Sequence, residues 1–263
     1  SGSFDNKNAA NGKTVTVSDV TTLTKTDGTG SWSNYSLATG SKTTTANITP
    51  KSITLSGITA DHKTYDGTTS ATVSTANAVF NDKVSGDNLT VTSTGSFDNK
   101  NAGNSKTVNL SNTLGGTDLG NYTVTDQTTT SANINKKNLT ITGLSAVNKV
   151  YDGTTQASIS SANAVFSGLI SGDNVNLAAT GTFDTRHVGD NKLVSLSSSL
   201  QGADAGNYNA TTPSDLRANI TPASLTVRAP TVVKTYDGTT GAPGTATVVG
   251  TLSWTSRWAL GSR

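Results

Sequence analysis

The sequence contains no cysteine, no methionine and no glutamate. Without cysteine there are neither disulfides nor thiolate chemistry. All 17 acidic residues are therefore aspartate, and the bidentate glutamate of a helix-loop-helix calcium site is missing. Hydrophobic residues reach only 32% and aromatics 5%, a composition that taken alone leans toward disorder. No apolar run approaches the roughly 18 residues a membrane-spanning helix needs, so no membrane insertion is expected. A formal net charge of +2, with no basic cluster, gives no reason to expect nucleic acid as a partner. Thr, Ser, Asn and Gly fill about half of the chain. The start, "SGSFDNKN", reads as the interior of something larger, with no signal peptide. A cysteine-free, glutamate-free, Thr/Ser/Asn-rich surface leads us to expect a large exported bacterial protein, secreted or held at the cell surface.

The dominant feature is internal repetition. "TYDGTTSATVSTANAVF" at 64–80 returns as "VYDGTTQASISSANAVF" at 150–166, and "TYDGTTGAPGTATVV" begins at 235. Tyr65, Tyr151 and Tyr236 are thus spaced by 86 and 85 residues. "TGSFDNKNAGNSKTVNL" from Thr94 returns as "TGTFDTRHVGDNKLVSL" from Thr180, and "LGNYTV" around Tyr122 returns as "AGNYNA" around Tyr208. This frame divides the chain into the back half of a repeat at 1–49, complete repeats at 50–135 and 136–221, and a front half at 222–250. Residues 251–263 match nothing else in the chain.

Each repeat reads as β-strands. Ile53 and Leu55 in "SITLSGI", Leu89 and Val91 in "NLTVTS", and Val108 and Leu110 in "KTVNLS" alternate with polar residues, the period of a half-buried strand. Thr between them favours the pleated setting, and "YDGT", "SGDN" and "NAGNSK" supply turns. No apolar period of 3.6 is sustained over ten residues. The expected fold is all-β, a tandem array of β-grasp-like or sandwich-like domains of about 86 residues forming an elongated rod.

In the Tyr-Asp-Gly string, the tyrosines are expected to anchor the core at a strand end, and Asp-Gly to form a tight turn with Gly at positive φ. Read as ligands or catalysts instead, Asp66, Asp152 and Asp237 each lack a histidine or second acid at a fixed short distance. The two histidines, His62 and His187, fall at different points of the repeat, so no triad or histidine metal site is expected. Asp82 and Asp87 form the nearest local acid pair, and a solvated loop explains them. No catalytic, cofactor-binding or metal-ligating residue is assigned.

Calcium is the one cofactor the oxygen-rich turns "SGDN" (85–88, 171–174) and "GGTDLGN" (115–121) bring up, although neither has the spaced aspartates of a calcium loop. Lys63, Lys149 and Lys234 precede each Tyr by two residues, which raises an intramolecular Lys–Asn amide. Sequons occur at Asn34, Asn47, Asn88, Asn109, Asn121, Asn138, Asn209 and Asn219. Trp32, in an enlarged loop at 26–34 that the other repeats lack, is the candidate ligand-binding residue.

The string K-x-Y-D-G-T-T, then G-x-F-D-x-x-x-x-G-x-x-K-x-V, G-x-D-x-G-N-Y and A-N-I-T-P, resembles the YDG repeat domain over about 250 of the 263 residues. That family occurs in giant exported bacterial proteins, among them filamentous-haemagglutinin-like and high-molecular-weight adhesins of the two-partner secretion type. A methyl-DNA-binding domain shares the tripeptide in its name, but its basic groove and base pocket have no counterpart here. The resemblance implies an extracellular stalk with no catalytic residues, exported through an outer-membrane secretion partner. The alternative is a module binding a host-surface glycan or protein through the loop around Trp32. A third reading is self-association, with the two half repeats completing one another head to tail into a filament.

Overall fold

The computed structural model describes residues 1–18, 36 and 40–249. The described chain is all-β, and its only helical elements are the single 3-10 turns Leu119–Asn121 and Ala205–Asn207. It divides into two compact units, Ser1–Asn135 and Lys136–Arg263. Among the described residues, no helix is long and apolar enough to cross a membrane.

In the first unit the repeat at 50–135 folds into two principal sheets. The larger has five strands in the order Lys63–Thr64, Thr129–Asn135, Gly103–Gly115, Thr90–Phe97, Ser70–Ala71. The smaller places Lys51–Ser56 between Tyr122–Thr125, which runs parallel to it, and Val79–Asn81, which runs antiparallel. Thr59–Ala60 and Val73–Ser74 make a short accessory pair. Each sheet turns its apolar residues to one core: Ile53, Leu55 and Tyr122 from the smaller, Phe97, Val108, Ala132 and Ile134 from the larger. That arrangement is the sandwich-like variant, since the described repeat has no helix to complete a grasp. The period-two alternation seen in sequence is the alternation of core-facing and solvent-facing positions.

The second unit repeats this architecture 86 residues later. Lys149–Val150, Leu216–Thr221, Gly189–Gln201, Asn176–Phe183 and Gln156–Ala157 form its five-stranded sheet. Phe183, Val194, Tyr208 and Ile220 occupy the core places of Phe97, Val108, Tyr122 and Ile134.

Among the described residues, the N-terminal half repeat forms the three central strands Gly2–Phe4, Ala10–Val17 and Lys42–Ile48. It keeps the bulge of the complete repeats. Gly12, Ser105 and Asn191 stand at equivalent places with φ of 65°, 48° and 52°. Each donates its N–H to the side-chain oxygen of Asn47, Asn133 or Asn219, at 2.8, 2.8 and 2.7 Å. Two of those asparagines, Asn47 and Asn219, head sequons, so their recurrence has a structural cause.

Candidate functional site

The Tyr-Asp-Gly turn builds itself from local bonds. Asp66 Oδ1 accepts from the Thr68 N–H (2.9 Å) and the Thr68 hydroxyl (2.9 Å). Gly67, Gly153 and Gly238 take φ of 80°, 79° and 74°, a region open to glycine. The Lys63 ammonium then ties the turn together, donating to Asp66 Oδ1 (2.8 Å), the Thr68 carbonyl (2.9 Å) and the Ser70 carbonyl (3.0 Å). Lys149 and Lys234 repeat this pattern on Asp152 and Asp237. These lysines are thus engaged with an aspartate and carbonyls rather than with an asparagine. The Lys149 ammonium and the Thr154 backbone and hydroxyl donors hold the Asp152 carboxyl at about 2. Lys63 and Lys149 also lie 5.6 and 5.7 Å from the ring centres of Phe97 and Phe183. The turn is held together by its own groups, with Lys63, Asp66 and Thr68 bonded to one another.

The core role expected of the tyrosines holds at one of the three. Tyr65 is 1% exposed, Tyr151 is half-buried, and Tyr236 is 95% exposed. Tyr236 departs because the back-half strands that cover Tyr65 have no counterpart around it among the described residues. The histidine at 62 is structural: its Nδ1 accepts the Asn133 N–H at 2.9 Å, and Asn148 Oδ1 does the same for the Asn219 N–H at 2.7 Å.

The cluster with chemistry of its own lies inside the first unit, where the half repeat meets the complete one. The loop 5–9 is braced by Lys13, whose ammonium lies 3.0 Å from Asp5 Oδ1. It delivers Lys7 Nζ to Asp87 Oδ1 (2.6 Å) and Asp118 Oδ1 (3.4 Å). Alongside, the Ala9 N–H donates to Asn121 Oδ1 at 2.7 Å. The socket is pre-formed by the receiving repeat. The Tyr122 hydroxyl donates to Asp87 Oδ2 (2.7 Å) and accepts the Val84 N–H (3.0 Å), and Asp118 Oδ2 accepts the Asn88 N–H (2.8 Å). The second unit carries the same internal frame: Tyr208 to Asp173 Oδ2 at 2.6 Å, Ile170 N–H to Tyr208 at 3.0 Å, and Asn174 N–H to Asp204 Oδ2 at 2.9 Å.

Asp87 and Asp118 are the aspartates of the turns "SGDN" and "GGTDLGN", so the two oxygen-rich turns do converge, and in the first unit they receive an ammonium. Among the described residues, no group of three or more His, Cys, Asp or Glu side chains is placed to hold a metal. A cleft of about 250 Å³ lies beside the ion pair, lined by residues including Ile48, Lys51, Val84 and Tyr122. The joint is anchored by these polar contacts beside the cleft.

Two tandem matches fix the family: the YDG domain matches residues 49–131 and 135–215, more than half of the chain. The chain belongs to the YDG domain family. No curated protein and no solved structure is detectably similar to it. Within these YDG repeats, sequence reasoning passed over the socket because its acids were weighed within one loop. Asp82 was matched with Asp87, whereas the true neighbour is Asp118, 31 residues away. The signal was present in the 86-residue recurrence of Asp87, Asp118, Asn121 and Tyr122 as Asp173, Asp204, Asn207 and Tyr208. Trp32 and the whole of its loop, 26–34, lie outside the described residues.

Lys7 is the first cause holding the Asp87 carboxyl below its usual range, and the Tyr122 hydroxyl is the second. Asp87 in turn raises Lys7. A depressed carboxyl stabilises above its ordinary value near 3.8 and loses that contribution as pH falls through its folded value. A raised ammonium stabilises below 10.5 and loses its contribution as pH rises beyond. The joint is accordingly expected to hold between about pH 4 and 10. Amide hydrogen exchange at Ala9 checks this: protection should fall in Lys7→Ala, below pH 4, and in 1 M salt, where screening shortens to about 3 Å. Unchanged protection in Lys7→Ala would show that the ion pair does not hold the loop.

Proposed function

We propose that this chain is a structural and adhesive repeat region of an exported bacterial surface protein, holding a distal binding region away from the cell. A longer protein carrying it would leave the cell through an outer-membrane secretion partner. In this reading the chain has no catalytic role and needs no cofactor, and its work is mechanical reach.

The observation that carries the reading is the joint at Lys7. A loop of the half repeat is inserted into a socket built by the first complete repeat, through the ion pairs of Lys7 with Asp87 and Asp118 and the bond from the Ala9 N–H to Asn121, so these two repeats are coupled and not merely tethered. The cysteine-free, Thr/Ser/Asn-rich composition supports export. Small-angle scattering on the chain tests the extension: a compact body of this length has a radius of gyration of about 18 Å, and a stalk should exceed that clearly. A value near 18 Å rejects the stalk. An antibody against the chain should also label intact cells of the source bacterium. A glycan-array signal lost in Trp32→Ala would replace the stalk by a direct binding module.

A further inference from the structure

We propose that Asn11 is a site of spontaneous covalent modification: its side-chain amide is lost through a succinimide formed with the Gly12 backbone nitrogen, and the isoaspartate left behind loosens the loop that carries Lys7. The chain contains a single Asn-Gly step, Asn11–Gly12, and the fold puts it in an exposed bulge. Glycine leaves the attacking nitrogen without a neighbouring Cβ to shield it. A Cβ built on Gly12 would meet nothing within 4 Å, so no packed group covers the step from that side.

The reaction balances with water alone. The Gly12 nitrogen, deprotonated by solvent base, attacks Asn11 Cγ; the bond from Cγ to the side-chain nitrogen breaks, and ammonia leaves. Water then opens the ring. Addition at Cγ returns aspartate, and addition at the Asn11 backbone carbonyl gives isoaspartate, with the chain now running through Cβ and Cγ. The Gly12 N–H is bonded to Asn47 Oδ1 at 2.8 Å, so each attack waits for that bond to open. The bulge therefore sets the pace.

The complete repeats show which product the fold accepts. At the place of Asn11 they carry Asn104 and Asp190, and at that of Gly12, Ser105 and Asn191. With Asp190 present, Lys192 still lies 2.8 Å from Asp184, the brace that Lys13 makes to Asp5. Aspartate at 11 is thus harmless. Isoaspartate is not, because it adds one backbone carbon between Ala10 and Lys13, whose pairing with Ile48 and Ala46 is fixed. Lys13 is buried, and its ammonium is held by Asp5 and by Asn6 Oδ1 at 2.5 Å. A longer bulge withdraws it from both, and the loop 5–9 loses the brace that aims Lys7 and Ala9 at the socket.

The Asp-Gly turns escape the parallel reaction. Asp66, Asp152 and Asp237 are each paired with a lysine ammonium and a threonine hydroxyl, and a carboxylate so held is a poor electrophile. None of this rests on the stalk reading.

Ageing the full chain in mildly alkaline buffer, with peptide mass mapping over time, tests the proposal. Asn11 should convert to the acid, with isoaspartate identified by isoaspartyl methyltransferase labelling, while Asn104 keeps its amide. Gly12→Ser, a change that Ser105 shows is accepted in the same backbone place, should slow conversion about tenfold. Amide exchange at Ala9 should be faster in the isoaspartyl fraction than in fresh protein and unchanged in Asn11→Asp. Conversion at Asn11 no faster than at Asn104, or indifferent to Gly12→Ser, overturns the site. An isoaspartyl form that protects the Ala9 amide as well as fresh protein does overturns its link to the joint.

Discussion

Tyr65→Ala should unfold the repeat at 50–135, while Tyr236→Ala, in an identical K-T-Y-D-G-T-T string, should leave the stability of a single copy unchanged. Tyr65 is 1% exposed and its N–H is bonded to the Asn135 carbonyl, so truncation empties a core place without loosening the turn. Removing an aromatic from a packed core costs about 3–5 kcal/mol. A domain of this size has about 4–13 kcal/mol in total, so the loss consumes much or all of its margin. Tyr236, 95% exposed, has nothing to lose, and its truncation should fall within about 0.5 kcal/mol. Tyr151, half-buried, should lie between. Chemical denaturation of the three variants followed by circular dichroism gives the ranking. Equal costs at Tyr65 and Tyr236 would mean that the string stabilises through its turn alone, and the core role of Tyr65 would be lost.

That contrast marks where sequence suffices. The strand pattern was legible because Ile53, Leu55, Val108 and Ile134 alternate with Thr, Ser and Asn, and alternation is a local property. The Asp-Gly turn was legible for the same reason: Asp66 reaches only as far as Thr68. Burial of Tyr65 was legible as well, but that of Tyr236 was not, because burial depends on which strands return to cover it. An identical string reports an identical turn and nothing about its surroundings.

The socket shows the same limit for the candidate site. Asp87 and Asp118 are 31 residues apart in different loops, and only the sheet brings them together. Their partner, Lys7, comes from another repeat altogether. Each was read as a turn residue, correctly, since Asp118 also accepts the Asn88 N–H. The second role of each depends on the fold placing two turns side by side. The ammonium of Lys7 answers the electrostatic demand of two carboxylates brought side by side, a paired acid site needing positive charge.

The turn after the first strand carries the other large effect. Gly57→Ala should destabilise its repeat by about 2–4 kcal/mol, and Gly143→Ala should do the same in the next. Gly57 sits at φ +86°, and a Cβ there would lie 2.1 Å from the Asn77 carbonyl oxygen; at Gly143, φ +77°, the Asn163 oxygen would be 2.0 Å away. The obstacle in both is backbone, so no side chain can swing aside. The turn aims the next residue inward: Ile58 and Leu144 are 1% and 7% exposed, and the Ile58 N–H is held by Gln127 Oε1 at 2.9 Å. The chain contains its own comparison. The equivalent place in the last front half is Ala229, which is not among the residues at positive φ, and Pro230 follows it. There the segment from Tyr236 to Val248 is three residues shorter than that from Tyr65 to Phe80, so the opposing loop is different. Alanine is therefore tolerated where the turn is not made and should be costly where it is. Thermal unfolding of Gly57→Ala beside Ala229→Gly measures both: a large loss for the first and about 1 kcal/mol or less for the second. A Gly57→Ala protein as stable as its parent would mean that the Asn77 loop yields freely, and that the close approach does not hold Ile58 in the core.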